Sequence, residues 1–92
     1  MLRIEFTGQF KKDYKLALKR GCDPQDLTNV ISFLAAEQTL PEIYRDHPLE
    51  NSRNSKGMRE CHIKPDWLLI YRIYSDRLVL ELIRTGTHSD LF

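Results

Sequence analysis

The sequence predicts an α+β fold in which a pair of helices lies on one face of an antiparallel sheet. Three observations carry that prediction. Two helical periods follow one another before residue 40, strand-like runs fill the last third of the chain, and one short alternating stretch precedes the helices. Helices and strands that stay in separate runs give α+β rather than a wound α/β order. The 92 residues are read as one domain, residues 1–92.

Leu2-Arg3-Ile4-Glu5-Phe6 alternates apolar and polar side chains and predicts a strand with one buried face. Thr7 then caps a helix whose apolar stripe is Phe10, Tyr14, Ala17 and Leu18. Gly21 ends it, because glycine accepts the left-handed conformation at a helix C-terminus. Asp23-Pro24 opens a second helix, with a capping carboxylate and a proline at the first helical position. Leu27, Val30, Ile31 and Leu34 form its stripe, widened by Phe33 and Ala35. It must stop before Leu40-Pro41, since proline pushes the preceding residue out of helical geometry. A turn at Gly21-Cys22 folds the two helices into an antiparallel hairpin. Residues 41–57 show no sustained period and predict a loop of a length that usually serves function.

The remaining strands are Met58 to Ile63, Trp67 to Tyr74 and Leu78 to Arg84. A two-residue turn at Ser75-Asp76 pairs Ile73 with Leu78, Tyr71 with Leu80 and Leu69 with Leu82, giving one wholly apolar face for the helices. Such pairing also sets Trp67 opposite Arg84. Lys64-Pro65-Asp66 leaves two registers open. A two-residue turn brings Glu60 and His62 to the core side, and a three-residue turn sends them outward. The outward register is preferred, because a buried glutamate beside a buried histidine is costly without partners. With the N-terminal strand, this three-stranded meander makes a four-stranded sheet.

Composition narrows the class. Hydrophobic residues at 41% and charged residues at 29% exclude a disordered chain, and no apolar run reaches the roughly 20 residues that span a bilayer. Met1-Leu2-Arg3 does not open a secretory signal, so the expected location is the cytoplasm. Cys22 and Cys61 have neither metal-ligand nor redox-motif spacing; reduced thiols are expected, with a disulfide as the alternative. The net charge of +1 conceals a segregated distribution. Residues 1–21 hold six basic and two acidic side chains, whereas residues 22–44 hold four acids and no lysine or arginine. Lys11, Lys12, Lys15, Lys19 and Arg20 make the first helix basic, which suits a polyanion.

Only three histidines occur, and each stands in a loop or at a strand end near an acid or turn: Asp46-His47-Pro48, His62 to Asp66, and His88-Ser89-Asp90. Antiparallel pairing returns the tail after Arg84 to the end of the sheet that holds His62, Asp66 and Trp67. A metal-ligand pair of the H-E-x-x-H kind is missing, so the zinc signal is weak. RNA cleavage without a metal needs a base for the 2′-OH, an acid for the leaving 5′-oxygen and cations for the phosphate. Histidine suits both proton roles, arginine and lysine suit the phosphate, and an aromatic ring holds a splayed base. His, Asp, Arg, Trp and Phe all occur at this end of the sheet.

The stretches "HPL", "RECHIKPDWLLIY" and "RTGTHSDLF" resemble the YafQ branch of the RelE/ParE superfamily, over nearly the whole chain. The resemblance implies the RelE-like (microbial RNase-like) fold and a ribosome-dependent mRNA interferase of a type II toxin–antitoxin system. It implies cleavage of the A-site codon by 2′-OH attack, with no metal and no cofactor. Carried over by motif, His47, His62, Asp66 and His88 are the catalytic set, and Trp67 and Phe92 support substrate placement or site geometry. Arg59, Lys64 and Arg84 are added as phosphate-facing candidates from charge and position. The basic helix face of Lys11, Lys12, Lys15, Lys19 and Arg20 is an expected ribosomal RNA contact.

The implied partners are a cognate antitoxin of DinJ or RelB type, the 70S ribosome with its mRNA, and operator DNA through the antitoxin complex only, with no membrane. Three departures stand out: Leu49 to Gly57 is longer than the family usually has, it lacks the glycine that often follows "HPL" closely, and Met58 replaces the aromatic common before "RECH". The alternative function is a ParE-like toxin or binding module that shares the fold and acts on a protein rather than on RNA.

Overall fold

The computed structural model describes residues 1–49 and 57–92. The elements run β1 (Arg3–Phe6), α1 (Gly8–Lys19), α2 (Pro24–Ala35), a 3-10 turn (Glu42–Tyr44), β2 (His47–Pro48), β3 (Met58–Lys64), β4 (Trp67–Tyr74), β5 (Val79–Gly86) and α3 (His88–Leu91). The predicted loop over 41–57 therefore contains a turn and a short strand; its residues 50–56, with most of the Leu49–Gly57 departure, lie outside the described residues.

The α+β prediction holds, with one more strand than expected. The sheet has five strands in the order β1-β5-β4-β3-β2, with β1 parallel to β5 and the other pairs antiparallel. The extra strand is β2, too short for an alternation signal, which adds His47 and Pro48 to the edge of β3.

Capping follows the sequence. Thr7 accepts a hydrogen bond from the Phe10 amide, Asp23 accepts from the Gln25 amide, and Gly21 takes the left-handed φ of 89° after α1. Phe10 and Ala17 from α1, with Leu27, Val30, Leu34 and Ala35 from α2, form one core with Cys61, Ile63, Trp67, Leu69, Tyr71, Leu80 and Leu82 from the sheet. Leu18, expected on the apolar stripe, is exposed. β1 also differs from its prediction: only Leu2, just before it, is buried, while Ile4 and Phe6 stay open because α1 lies against β5. Both cysteines are free.

Two bulges set the registers that matter. Lys64 pairs with Trp67 across the two-residue turn Pro65-Asp66, which by itself turns His62 toward the core. Ile63 is an extra residue between the pairs His62–Leu68 and Lys64–Trp67, and it reverses that orientation. Glu60 and His62 accordingly lie on the face opposite the helices, as preferred, though through a shorter turn than expected. Glu60 is nevertheless buried, at 6% exposure.

The second hairpin turns over four residues, Ser75 to Leu78, with Leu78 at φ 52°. The expected pairs therefore move by two: Ile73 meets Leu80 and Tyr71 meets Leu82, which keeps the apolar face intact. Ile83 is bulged, so Leu69 faces Thr85 and Arg84 lies opposite Ile70 instead of Trp67.

Candidate active site

At the end of the sheet where β3 turns into β4, three imidazoles stand in a row. The His47 and His62 ring centroids are 6.5 Å apart, and those of His62 and His88 are 5.6 Å apart. Each comes from a different device. β2 brings His47 to the sheet edge opposite Glu60, the Ile63 bulge turns His62 outward, and the tail after β5 delivers His88.

The tail is held firmly for so short a helix. Thr87 caps α3 in a capping box: its hydroxyl accepts the Asp90 amide, and the Asp90 carboxylate accepts the Thr87 amide. Gly86, at φ 155°, starts the turn, and a Cβ there would sit 2.9 Å from Asp90 Oδ2, so the cap needs glycine. Arg20 donates to both Asp90 oxygens from the end of α1. That ion pair, and then the Thr87 amide, hold the Asp90 carboxyl down at about 2.

Asp66 in the β3–β4 turn fixes His88 twice. One oxygen accepts from His88 Nδ1 at 2.8 Å and from the His88 amide at 3.1 Å. The imidazole bond first, and the amide bond second, lower the Asp66 pKa, so it is a carboxylate at neutral pH and Nδ1 is the donor. His88 is left with Nε2 directed away from its anchor.

The inner pair is organised around Glu60. His47 Nε2 lies 3.3 Å from Glu60 Oε1, and His62 Nε2 lies 3.7 Å from the same oxygen. The Nδ1 atoms of His47 and His62 face the carbonyls of Pro48 and Pro65, at 3.0 and 3.3 Å. Both Nε2 atoms thus converge on one buried carboxylate. The ligand atoms of His47, Glu60 and His62 all lie within 4.8 Å of one another, and two imidazoles with a carboxylate fit a transition-metal ion by donor type.

Several expected site residues are placed elsewhere. Trp67 is buried at 4% exposure in the core, where its indole N–H donates to Thr85 and Thr85 donates to the Leu68 carbonyl. It supports the site from beneath and has no open face for a base. Arg59 lies on the helix side of β3 with both donors on Asp46, at 3.2 and 3.3 Å, so it does not face the histidines. Arg84 gives two hydrogen bonds of 3.1 Å to Asp13 of α1 and is clamped rather than free for phosphate. Burial acts to raise the Asp13 pKa, but the bonds from Arg84, Gln9 and the Thr85 amide outweigh it and leave it lowered. Arg20 anchors the tail through Asp90 instead of extending the open basic face.

Lys64 remains accessible and, among the described residues, has one ion-pair contact, at 3.5 Å to Asp26; Phe92 is 68% exposed. Lys11, Lys12, Lys15 and Lys19 are exposed and make no ion pair among the described residues. One hollow of about 710 Å³ borders the histidine row and runs from His62 and Lys64 to Tyr44 and Arg45; a second, of about 280 Å³, is lined by no histidine and runs from Asp66 to Arg84 and Arg20.

Sequence reasoning missed Glu60, Asp46, Asp13 and Asp90 as organisers of the site. The signal for Glu60 was present, since two-residue spacing in a strand puts it on the same face as His62. Asp46 stood beside His47, but nothing local revealed its partners, 13 and 25 residues away.

The chain is 48% identical over 90 residues to the mRNA interferase toxin YafQ of Escherichia coli (strain B / BL21-DE3), covering 97% of this chain and 94% of that protein. Among solved structures, the metal-bound toxin from Helicobacter pylori superposes with a TM-score of 0.92 at 46% identity, covering all of both chains. YafQ in the E. coli DinJ–YafQ complex superposes with a TM-score of 0.88 at 43% identity, covering 100% of this chain and 99% of that one. A family model described as "Bacterial toxin of type II toxin-antitoxin system, YafQ" matches residues 2–92. By this match over residues 2–92 and by the shared fold, the chain belongs to the YafQ family of type II toxin–antitoxin toxins.

Proposed function

We propose that this protein is an endoribonuclease toxin, an mRNA interferase that cuts messenger RNA at the codon held in the ribosomal A site. The observation that carries the reading is the row of three imidazoles, its outer member fixed by Asp66. The 2′-OH attacks the adjacent phosphate, one ring takes its proton, and another gives a proton to the departing 5′-oxygen. His62 and His88, 5.6 Å apart, are spaced to flank one phosphate, and Asp66 holds His88 in the tautomer that leaves Nε2 for the reaction. His47 and Glu60 support the inner side, where one Glu60 oxygen lies near the Nε2 atoms of both inner rings.

Lys64 supplies the accessible positive charge for the phosphate, and Phe92 offers an open ring for a splayed base. The lysines of α1 contact ribosomal RNA. An antitoxin is the partner that restrains the toxin, supported by the complex known for the E. coli relative. In this reading the chain reaches operator DNA only through its own antitoxin complex, and it works in the cytoplasm. Among the described residues, no helix is long and apolar enough to cross a membrane. A divalent ion would be held by His47, Glu60 and His62 and would supply Lewis-acid polarisation of the phosphate. The reaction proposed here uses the imidazoles instead.

Primer extension on an mRNA translated with and without the protein tests this reading. In-frame cuts are expected, lost in His88→Ala and retained after dialysis against EDTA. Cuts that persist in a folded His88→Ala variant would count against the imidazole mechanism, and loss of cutting on chelation would assign the step to a metal.

A further inference from the structure

Three groups from separate parts of the chain meet beneath the edge strand that carries His47. Tyr71, in the middle of β4 and 1% exposed, directs its phenol at Asp46 Oδ1 at 2.6 Å. Arg59 of β3 donates to both Asp46 oxygens, at 3.2 and 3.3 Å. Asp46 immediately precedes His47. Along an extended segment, consecutive side chains point to opposite sides, so the carboxylate goes under the sheet as the imidazole goes over it to Glu60.

The strand needs such an anchor. β2 is two residues long, and one of them is Pro48, which has no amide to give to the ladder. Its described continuation is one bond, from the Leu49 amide to the Met58 carbonyl at 3.0 Å. Just upstream, Arg45 reverses the chain with a left-handed φ of 48°, a conformation that side chains other than glycine adopt at a cost. Two residues of ladder next to a strained reversal do not fix an imidazole on their own. A bidentate arginine and a buried phenol on one carboxylate do.

We infer that Asp46 is a positioning residue, locked by Tyr71 and Arg59 so that His47 is held against Glu60 in the histidine row. The inference rests on the nuclease reading, and on His47 acting in it. The Tyr71 phenol is pushed up by burial and by the Asp46 carboxylate, so it remains a neutral donor at any physiological pH.

The test is a double-mutant cycle on mRNA cleavage with Asp46→Ala and His47→Ala, repeated with Tyr71→Phe, which keeps the ring in the core and removes only the hydroxyl. If Asp46 acts through His47, Asp46→Ala lowers kcat by about 10- to 100-fold with little change in KM. Tyr71→Phe lowers it less, and neither costs anything further once His47 is alanine. Losses that multiply in the His47→Ala background would overturn the inference, as would unchanged cleavage in Asp46→Ala and Tyr71→Phe when His47→Ala does slow cleavage. Imidazole 1H–15N spectra separate this outcome from a failure of the nuclease reading. If His47→Ala cuts like the unmodified protein, His47 has no catalytic part. Positioning then stands only if the His47 ring signals move in Tyr71→Phe while those of His88 stay; unmoved His47 signals refute it.

Discussion

The two ends of the histidine row are built in opposite ways. His88 and Asp66 are both open to solvent, with side chains 55% and 68% exposed, and are joined by short bonds within two adjacent turns. His47 and His62 instead converge on Glu60, whose side chain is 8% exposed, and His47 is tied through Asp46 to the core residue Tyr71. An exposed station of this kind can be cut away without disturbing the fold. A buried one couples chemistry to stability, because its carboxylate has no water to fall back on.

Removing the exposed station should have the largest effect on rate and almost none on the fold. His88→Ala or Asp66→Ala is expected to slow cleavage by about 10²–10⁴-fold, with a melting temperature close to that of the unmodified protein. Deleting residues His88 to Phe92 should match that loss of cleavage and leave most of the stability intact. A large drop in melting temperature for either change would erase the contrast between the two stations.

Glu60→Ala should do both kinds of damage. Cleavage falls, and stability falls by about 1–3 kcal/mol, because two ring nitrogens lose their buried partner. Denaturant midpoints compared with those of Asp66→Ala check the difference directly. Equal midpoints would mean that burial of Glu60 contributes nothing.

A smaller and pH-dependent effect is expected at Arg20. Asp90 has a folded pKa of about 2 against an ordinary value of 3.8, so its contribution is present above pH 4 and is lost as pH falls toward 2. Arg20→Ala should remove most of that acid sensitivity from α3, seen as faster amide exchange at Phe92 at neutral pH and a flatter response to acid. Cleavage should fall only severalfold, because Asp66 still holds His88.

Least altered of all should be the chemistry after replacing Lys11, Lys12, Lys15 and Lys19 by alanine. Neither station is touched, and only ribosome affinity and its salt slope should decrease, as counterion release requires. Unchanged affinity in a binding assay would remove α1 from the ribosome contact.

How much of this was legible depended on how local each determinant is. Caps, periods and the apolar hairpin face were readable, because Thr7, Asp23-Pro24 and the alternating β4 and β5 residues act on their neighbours. The convergence of His62, Asp66 and His88 also followed, since antiparallel topology alone returns the tail to that end. The bulges at Ile63 and Ile83 were not readable, because they depend on how two strands meet, and each changes which residues face one another. Arginines 59 and 84 looked free for the same reason: their carboxylates, Asp46 and Asp13, lie 13 and 71 residues away. For Trp67, substrate placement and site geometry both stayed open, because its position at a strand start does not say which layer covers it.

The parallel pairing of β1 with β5 has a consequence for how the protein is made. Just past β1 the Thr7 hydroxyl donates to the Ile83 carbonyl, so the seam joins residues far apart in the chain, and His88 lies beyond both. A chain emerging N-terminus first carries its helix hairpin long before it owns a complete sheet, and contacts of this range close late and slowly. The histidine row therefore does not exist on a partly synthesised chain.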